Sequence, residues 1–155
     1  MHSRIFQVSM EPINKHEYIE ESDYWDHWFT NEIADYVNDN TNRCDDIEWL
    51  RNCYEHNGME FGSDNNGEYF IVESREQYFK RSFDRFKAAI DKIKDCTLED
   101  FANGLEHMWH IEDAYENKFG FYVNADGETI NLDSFIRACA LNEKYYIGGT
   151  IDYHW

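Results

Sequence analysis

The most regular apolar pattern in the chain runs from residue 74 to residue 95. Its large apolar residues recur in steps of four, three, four and three positions, which is the spacing of one face of an α-helix. These residues are Phe79, Phe83, Phe86, Ile90 and Ile93. Ser74 and Gln77 precede them with the spacing of a capping box, which marks the start of a helix. The pattern predicts one long helix, and we expect its apolar seam to pack on a sheet.

A second helix is predicted from residue 23 to about residue 40, where Phe29, Ile33, Tyr36 and Val37 recur at helical spacing. Three carboxylates fall together on a neighbouring face of this helix, at positions i, i+3 and i+7. They are Glu32, Asp35 and Asp39. The pattern therefore predicts a helix that carries an acidic stripe.

Three shorter helices are predicted elsewhere in the chain. One has Ile47, Leu50 and Tyr54 on its apolar side. Another begins at Thr97, is stopped or kinked at Gly104, and continues the apolar face through residues 105 to 115. A third follows Asn131 or Asp133, either of which can cap a helix N-terminus, and runs through Phe135, Ile136 and Cys139.

Alternating and short apolar runs predict the strands. Residues 5–8 alternate, residues 59–61 and 68–72 read as a hairpin, and residues 119–123 form a further strand candidate. Near the end, residues 145–147 and 150–153 flank Gly148 and Gly149, which predict a bulge or a turn. Together the elements predict an α+β fold in which helices pack on a small antiparallel sheet of three to five short strands.

Composition places this fold in a single domain covering residues 1–155. The chain has one proline and neither repeats nor a linker-like segment, and 17% of its residues are aromatic, enough apolar surface for a core. No stretch approaches the ~18 apolar residues of a membrane span, so we expect a cytoplasmic protein that does not contact membranes. Its four cysteines are scattered without a C-x-x-C pair, which favours reduced thiols.

The excess of acidic over basic residues is the feature of the composition that says most about possible partners. The chain carries 32 Asp and Glu against 14 Lys and Arg, a net charge of −18. Residues 75–94 hold seven of the basic residues and three acids, a local +4, so the rest of the chain carries −22. Such an imbalance steers a protein toward cationic partners and opposes direct binding of nucleic acid. We expect a basic protein as the partner, while the oligomeric state stays open.

The densest acidic segment runs from residue 17 to residue 48, with eleven carboxylates and one basic residue, Arg43. Carboxylates three or four positions apart on a helix stand about 5–6 Å apart, close to the spacing of phosphates along one DNA strand. We therefore expect this segment to form a partner-binding surface. Its candidate residues are Glu20, Glu21, Asp23, Asp26, Glu32, Asp35, Asp39, Asp45, Asp46 and Glu48.

In size, acidity and aromatic content, the chain resembles the acidic DNA-mimic inhibitors of phages and mobile elements, which include anti-CRISPR and antirestriction proteins. The resemblance is one of class, without an aligned motif. It implies a non-enzymatic binding protein that blocks a basic, nucleic-acid-binding partner. There are two alternatives to mimicry. The acidic segment is an ordinary solvated face without a binding role, or the chain is an accessory protein-binding module that does not imitate DNA.

An alternative of a different class is a metal-dependent enzyme or metal-binding protein. His107 and His110 stand at i and i+3 on a predicted helix and could hold a divalent ion with Asp113. The arrangement is not H-E-x-x-H, and the sequence has no phosphate-binding glycine loop and no G-x-S-x-G nucleophile motif. We therefore expect no catalytic residues, no cofactor and no bound metal.

Overall fold

The computed structural model describes residues 1–105 and 108–155. Within them one sheet contains seven strands, most of them antiparallel. The strands are β1 (His2–Ser9), β2 (Tyr36–Asn38), β3 (Met59–Asp64), β4 (Gly67–Val72), β5 (Tyr122–Ala125), β6 (Glu128–Asn131) and β7 (Lys144–His154). Their order is β3-β4-β7-β1-β5-β6, with β2 paired to the far end of β7. The pair β1 and β5 is parallel.

The helices of the described residues are short apart from one. They are α1 (Trp28–Glu32), α2 (Arg43–Tyr54), α3 (Arg75–Lys94), α4 (Leu98–Asn103), α5 (Met108–Tyr115) and α6 (Leu132–Ala138), with 3-10 turns at Lys15–Glu17 and Glu21–Tyr24. The predicted N-caps at Ser74, Thr97 and Asn131 are confirmed, because each side chain accepts a hydrogen bond from a backbone N–H of its helix.

A bulge interrupts the pairing of β7 with β1. Phe6 pairs with Thr150 and Val8 with Ile147, so Gln7 lies opposite both Gly148 and Gly149. The extra residue reverses which side of the sheet the following β7 side chains face. A Cβ on Gly148 would stand 2.4 Å from Gln7 Oε1, which explains the glycine. The predicted Gly148-Gly149 bulge is thus confirmed, within one long strand.

Each face of the sheet carries its own core. On the first face, α2, α6 and the start of α3 cover Phe6, Phe70 and Ile147. On the second face, the segment of residues 19–37 covers Ile5 and Tyr153. The predicted α+β fold class is confirmed, although the sheet has more strands than expected and includes one parallel pair.

The helix predicted from residue 23 to residue 40 is wrong. The structure has a 3-10 turn, the five-residue α1 and strand β2 in its place. The left-handed backbone of Asp26 (φ 58°) interrupts any helix, and Val37 joins β2, which pairs with β7. The buried residues are Tyr24, Phe29, Ala34 and Val37, whose steps of five, five and three do not fit one helix face. The acidic stripe of Glu32, Asp35 and Asp39 therefore does not exist.

The seam of α3 also differs from the prediction. Its first turns reach the first core through Tyr78 and Phe79. Beyond them the helix packs on α5 rather than on the sheet, and the side chain of Phe83 is 58% exposed. The helix exists where it was predicted, but its expected packing on the sheet holds only at its N-terminal end.

No helix among the described residues is long and apolar enough to cross a membrane.

Candidate acidic binding surface

The exposed carboxylates of residues 17–39, which we call the acidic surface, lie on the segment that covers the second core. Tyr24 and Phe29 anchor this segment, because both side chains are fully buried and Tyr24 Oη lies 3.1 Å from Thr129 Oγ1. Most carboxylates on either side of the anchors and between them face solvent. Exposed carboxylates of the acidic surface are Glu17, Glu20, Asp23, Asp26, Glu32, Asp35 and Asp39, and Glu21 is half-buried among them.

Backbone hydrogen bonds hold part of this acidic surface in a fixed arrangement. Asp23 Oδ2 accepts a hydrogen bond from the backbone N–H of Glu20 at 2.9 Å. Asp39 Oδ2 accepts one from the backbone N–H of Glu21 at 3.0 Å, which joins the 3-10 turn to the end of β2. The fold therefore brings Glu20, Glu21, Asp23 and Asp39 together, although they lie up to 19 positions apart in the chain.

The one basic residue of the segment does not neutralise the acidic surface. Arg43 donates from Nε to Gly148 O and from a guanidinium nitrogen to Ile147 O, both at 2.6 Å. It also forms an ion pair at 2.9 Å with Glu68 on β4. Arg43 therefore forms its ion pair outside residues 17–39, although it lines a groove together with Glu20 and Asp39.

Asp35 is the one carboxylate of the acidic surface with a histidine partner among the described residues. Its Oδ1 lies 2.8 Å from His154 Nδ1, and this hydrogen bond lowers the pKa of Asp35 below its ordinary value. The pair ties the turn before β2 to the end of β7. Asp35 therefore has a structural contact besides its place on the surface.

Two tryptophans stand exposed within the acidic surface. The side chain of Trp25 is 71% exposed and that of Trp28 is 43% exposed. Large aromatic side chains at the surface are the residues that most often anchor protein interfaces. The sequence shows these tryptophans among the acidic residues. It does not show which aromatic residues face solvent, because that depends on the burial of Tyr24 and Phe29 against distant parts of the chain.

The structure separates α2 from the acidic surface. Asp45 and Glu48 are exposed on α2, which covers the first core on the opposite face of the sheet. Asp46 is buried instead, with Oδ1 at 2.5 Å from Arg4 Nε and Oδ2 at 2.7 Å from Thr150 Oγ1. Asp46 is therefore a core residue, and its assignment to the binding surface is corrected.

Two of the predicted metal ligands, His110 and Asp113, lie on α5 beside α3. His107 falls outside the described residues. Asp113 Oδ2 is 2.5 Å from an Arg85 guanidinium nitrogen, and His110 borders a groove that it shares with Arg85 and Lys92. Positive neighbours of this kind oppose a bound cation. Across residues 1–105 and 108–155, no group of three or more His, Cys, Asp or Glu side chains is placed to hold a metal ion.

Comparisons of the chain with protein-family models, with curated proteins and with solved structures found no match.

Proposed function

We propose that this chain is a non-enzymatic, cytoplasmic binding protein whose acidic surface docks on a basic protein. The observation that carries the proposal is the set of exposed carboxylates on residues 17–39, none of which has a Lys or Arg ion-pair partner among the described residues. Unpaired carboxylates repel one another and cost stability, and a basic partner relieves that cost on binding.

The exposed tryptophans give the acidic surface a second source of affinity. Charged groups at an interface rim mainly set the association rate and the choice of partner. Buried aromatic anchors contribute most of the binding energy. Trp25 and Trp28 supply such anchors beside the carboxylates, so the surface combines electrostatic steering with apolar contact.

The partner class that fits best is a nucleic-acid-binding protein, which the chain would block by occupying its phosphate-binding groove. Such grooves are lined by Lys and Arg arranged to meet a dense row of negative charge. Support for mimicry comes from the density of uncompensated charge and from the resemblance in class to phage inhibitors of the anti-CRISPR and antirestriction type. The helical spacing of Glu32, Asp35 and Asp39 that the sequence predicted does not support mimicry, because these residues do not lie on one helix.

A pull-down from lysate of the source cells, followed by competition with DNA, tests the proposal. The bait variant Glu20→Lys, Glu21→Lys, Glu32→Lys reverses three charges of the acidic surface. The matched control Glu60→Lys, Glu73→Lys, Glu143→Lys makes the same charge change at three other solvent-facing positions. We expect wild type and control to capture the same basic protein, and the acidic-surface variant to bind it at least about tenfold more weakly.

Duplex DNA should displace the captured protein, and binding should weaken steeply between 0.05 and 0.5 M NaCl, concentrations chosen to span the screening range. Equal capture by both triple variants would mean that the acidic surface is only solvated. Capture that duplex DNA and RNA leave unchanged would replace mimicry with an ordinary protein-binding module.

A further inference from the structure

Helices α3 and α5 form an arm that leaves the sheet. Past the first turns of α3, the two helices pack on each other through the buried Ala89 and Ala114. The ion pair of Arg85 with Asp113, at 2.5 Å, joins them along one flank. Two helices alone cannot cover an apolar seam on every side, so part of the α3 seam stays uncovered.

The uncovered part is an apolar groove along the other flank of the arm. Its lining combines Phe79, Phe83 and Phe86 of α3 with Tyr115 of α5 around a volume of about 290 Å³, and the guanidinium of Arg137 from α6 lies over the Phe79 and Tyr115 rings. Phe83 and Tyr115 are each 58% exposed. A contiguous apolar patch of large aromatic side chains marks an interaction surface, in contrast to single exposed apolar residues.

The two limbs of the arm carry opposite charge. Helix α3 has seven basic and three acidic residues, a net +4, and Lys80 lines a neighbouring groove that shares Phe79 and Phe83 with the apolar groove. The second limb, for which we count residues 95–116 with α4 and α5, carries seven acids and neither Lys nor Arg, a net −7, and α5 itself holds Glu112 and Asp113. On α5 the exposed Glu112 lies three positions from Tyr115, on the same side of that helix.

This pattern is self-complementary. When two arms meet about a two-fold axis, each basic α3 faces the acidic α5 limb of the other copy, and the aromatic residues of both grooves meet between them. The seam of α3 repeats every 3.5 residues, the period that packs helices side by side in bundles and coiled coils. A basic or an acidic foreign helix would match only one limb of the arm.

From the apolar groove and the opposed charges of its two limbs we infer that the arm pairs with the arm of a second copy, forming a symmetric four-helix dimer interface. The inference is independent of the acidic surface, which lies on the segment of residues 17–39. The part of the α3 seam that does not pack on the sheet is then covered by the second copy, and the groove binds the same groove of that copy.

Sedimentation equilibrium of the full chain between about 1 and 100 μM in 0.15 M NaCl tests the inference. We expect wild type to be dimeric and Phe83→Asp to weaken the dimer roughly 100-fold or more. Met10→Asp is the matched control, because Met10 is 51% exposed in the loop after β1 and the variant adds the same charge. Circular dichroism establishes that each variant is folded, and Tyr115→Asp replaces Phe83→Asp if that variant is unfolded.

A mixing experiment tests the charge pattern directly. The variant Lys80→Glu, Lys87→Glu brings α3 to a net charge of zero beside the acidic second limb, and the variant Glu99→Lys, Glu112→Lys makes the second limb far less acidic beside a basic α3. Each should dimerise more weakly than wild type, and an equimolar mixture should form a heterodimer more tightly than either variant pairs with itself. The inference would be overturned if wild type were monomeric at 100 μM, or if the dimer persisted in both Phe83→Asp and Tyr115→Asp. It would also be overturned if the mixture of charge variants showed no preference for the heterodimer.

Discussion

At the scale of single residues, Asp46 shows how an acid in the densest acidic segment can belong to the core. Its carboxylate binds Arg4 and Thr150 between α2 and the sheet, and Arg4 also pairs with Asp152. A buried carboxylate of this kind cannot be told from its exposed neighbours by composition. It is identified only by the guanidinium and hydroxyl groups that other elements bring to it.

Replacing Asp46 tests that assignment. Asp46→Ala removes one partner of a buried ion pair and leaves the Thr150 hydroxyl without its carboxylate, so we expect a loss of about 3 kcal/mol in the free energy of unfolding. Glu48→Ala, two positions along on the exposed side of α2, should change it by less than about 0.5 kcal/mol. Urea unfolding of both variants measures the difference, and equal effects would contradict the buried assignment.

Asp133 predicts a dependence of stability on pH. Burial raises the pKa of this carboxyl above its ordinary value, while hydrogen bonds from Tyr78 Oη at 2.9 Å and the Asn117 N–H at 3.3 Å oppose the shift. The folded protein therefore holds the proton to higher pH than the unfolded chain. This group's contribution to stability is greatest below the unfolded pKa of about 4 and is lost as pH rises through the raised folded value.

Asp133→Asn removes the titrating group and should flatten that part of the pH profile. Subtracting the variant's free energy of unfolding from that of wild type, at steps between pH 4 and pH 7, should give a difference that falls as pH rises. The exposed control Glu143→Gln should give a difference without this trend. A flat profile for the Asp133 variant would show that the carboxyl titrates normally in the folded protein.

At the scale of elements, glycines show where chain segments approach each other closely. Gly58 precedes β3 with φ 83°, and a Cβ there would lie 2.2 Å from Ser74 O at the start of α3. Gly127, in the turn between β5 and β6, has almost the same φ of 84° but open space around it. The two positions share a backbone conformation and differ in crowding.

This difference predicts unequal costs for the same substitution. Gly127→Ala should cost about 1 kcal/mol from the left-handed backbone alone. Gly58→Ala should cost about 2 kcal/mol more, because the new methyl group forces α3 away from β3. Thermal or urea unfolding of the two variants measures the loss in the free energy of unfolding. Equal losses would mean that the N-terminus of α3 moves away from the new methyl group at no cost.

The elements also show what the sequence could predict. Local signals predicted α2, α3, the 59–72 hairpin and the Gly148-Gly149 bulge, since caps, turn residues and a seam of constant period act within a few positions. The prediction for residues 23–40 failed because β2 is three residues long and exists by pairing with the end of β7, 118 positions away at Tyr36 and His154. A long-range contact of this kind overrides helical spacing.

The candidate site follows the same division. Counting charges predicted an acidic segment, and most of its carboxylates are exposed. Counting could not separate Asp46 from the surface, nor place α2 on the opposite side of the sheet. The exposure of Phe83 was equally hidden, because an amphipathic period shows that a helix has an apolar face but not what covers it.

At the scale of the whole molecule, the net charge of −18 predicts that salt stabilises the fold. At pH 7, raising NaCl from 0.02 to 0.5 M shortens the distance over which carboxylates repel, so the free energy of unfolding should rise by on the order of 1 kcal/mol. Near the isoelectric point, pH 4.5, the same change should have little effect. Calorimetry at the two pH values measures this dependence on salt. A melting temperature at pH 7 that does not change between 0.02 and 0.5 M NaCl would contradict the account.

The central claim is that the acidic surface of residues 17–39 binds a basic partner, and the most direct measurement compares matched charge reversals. Affinity for the captured protein is measured by calorimetric titration for wild type, for Glu20→Lys with Glu21→Lys and Glu32→Lys, and for the control triple at Glu60, Glu73 and Glu143. The account predicts a loss of at least about tenfold for the first triple and little change for the control. Equal affinities for the two triples would contradict it.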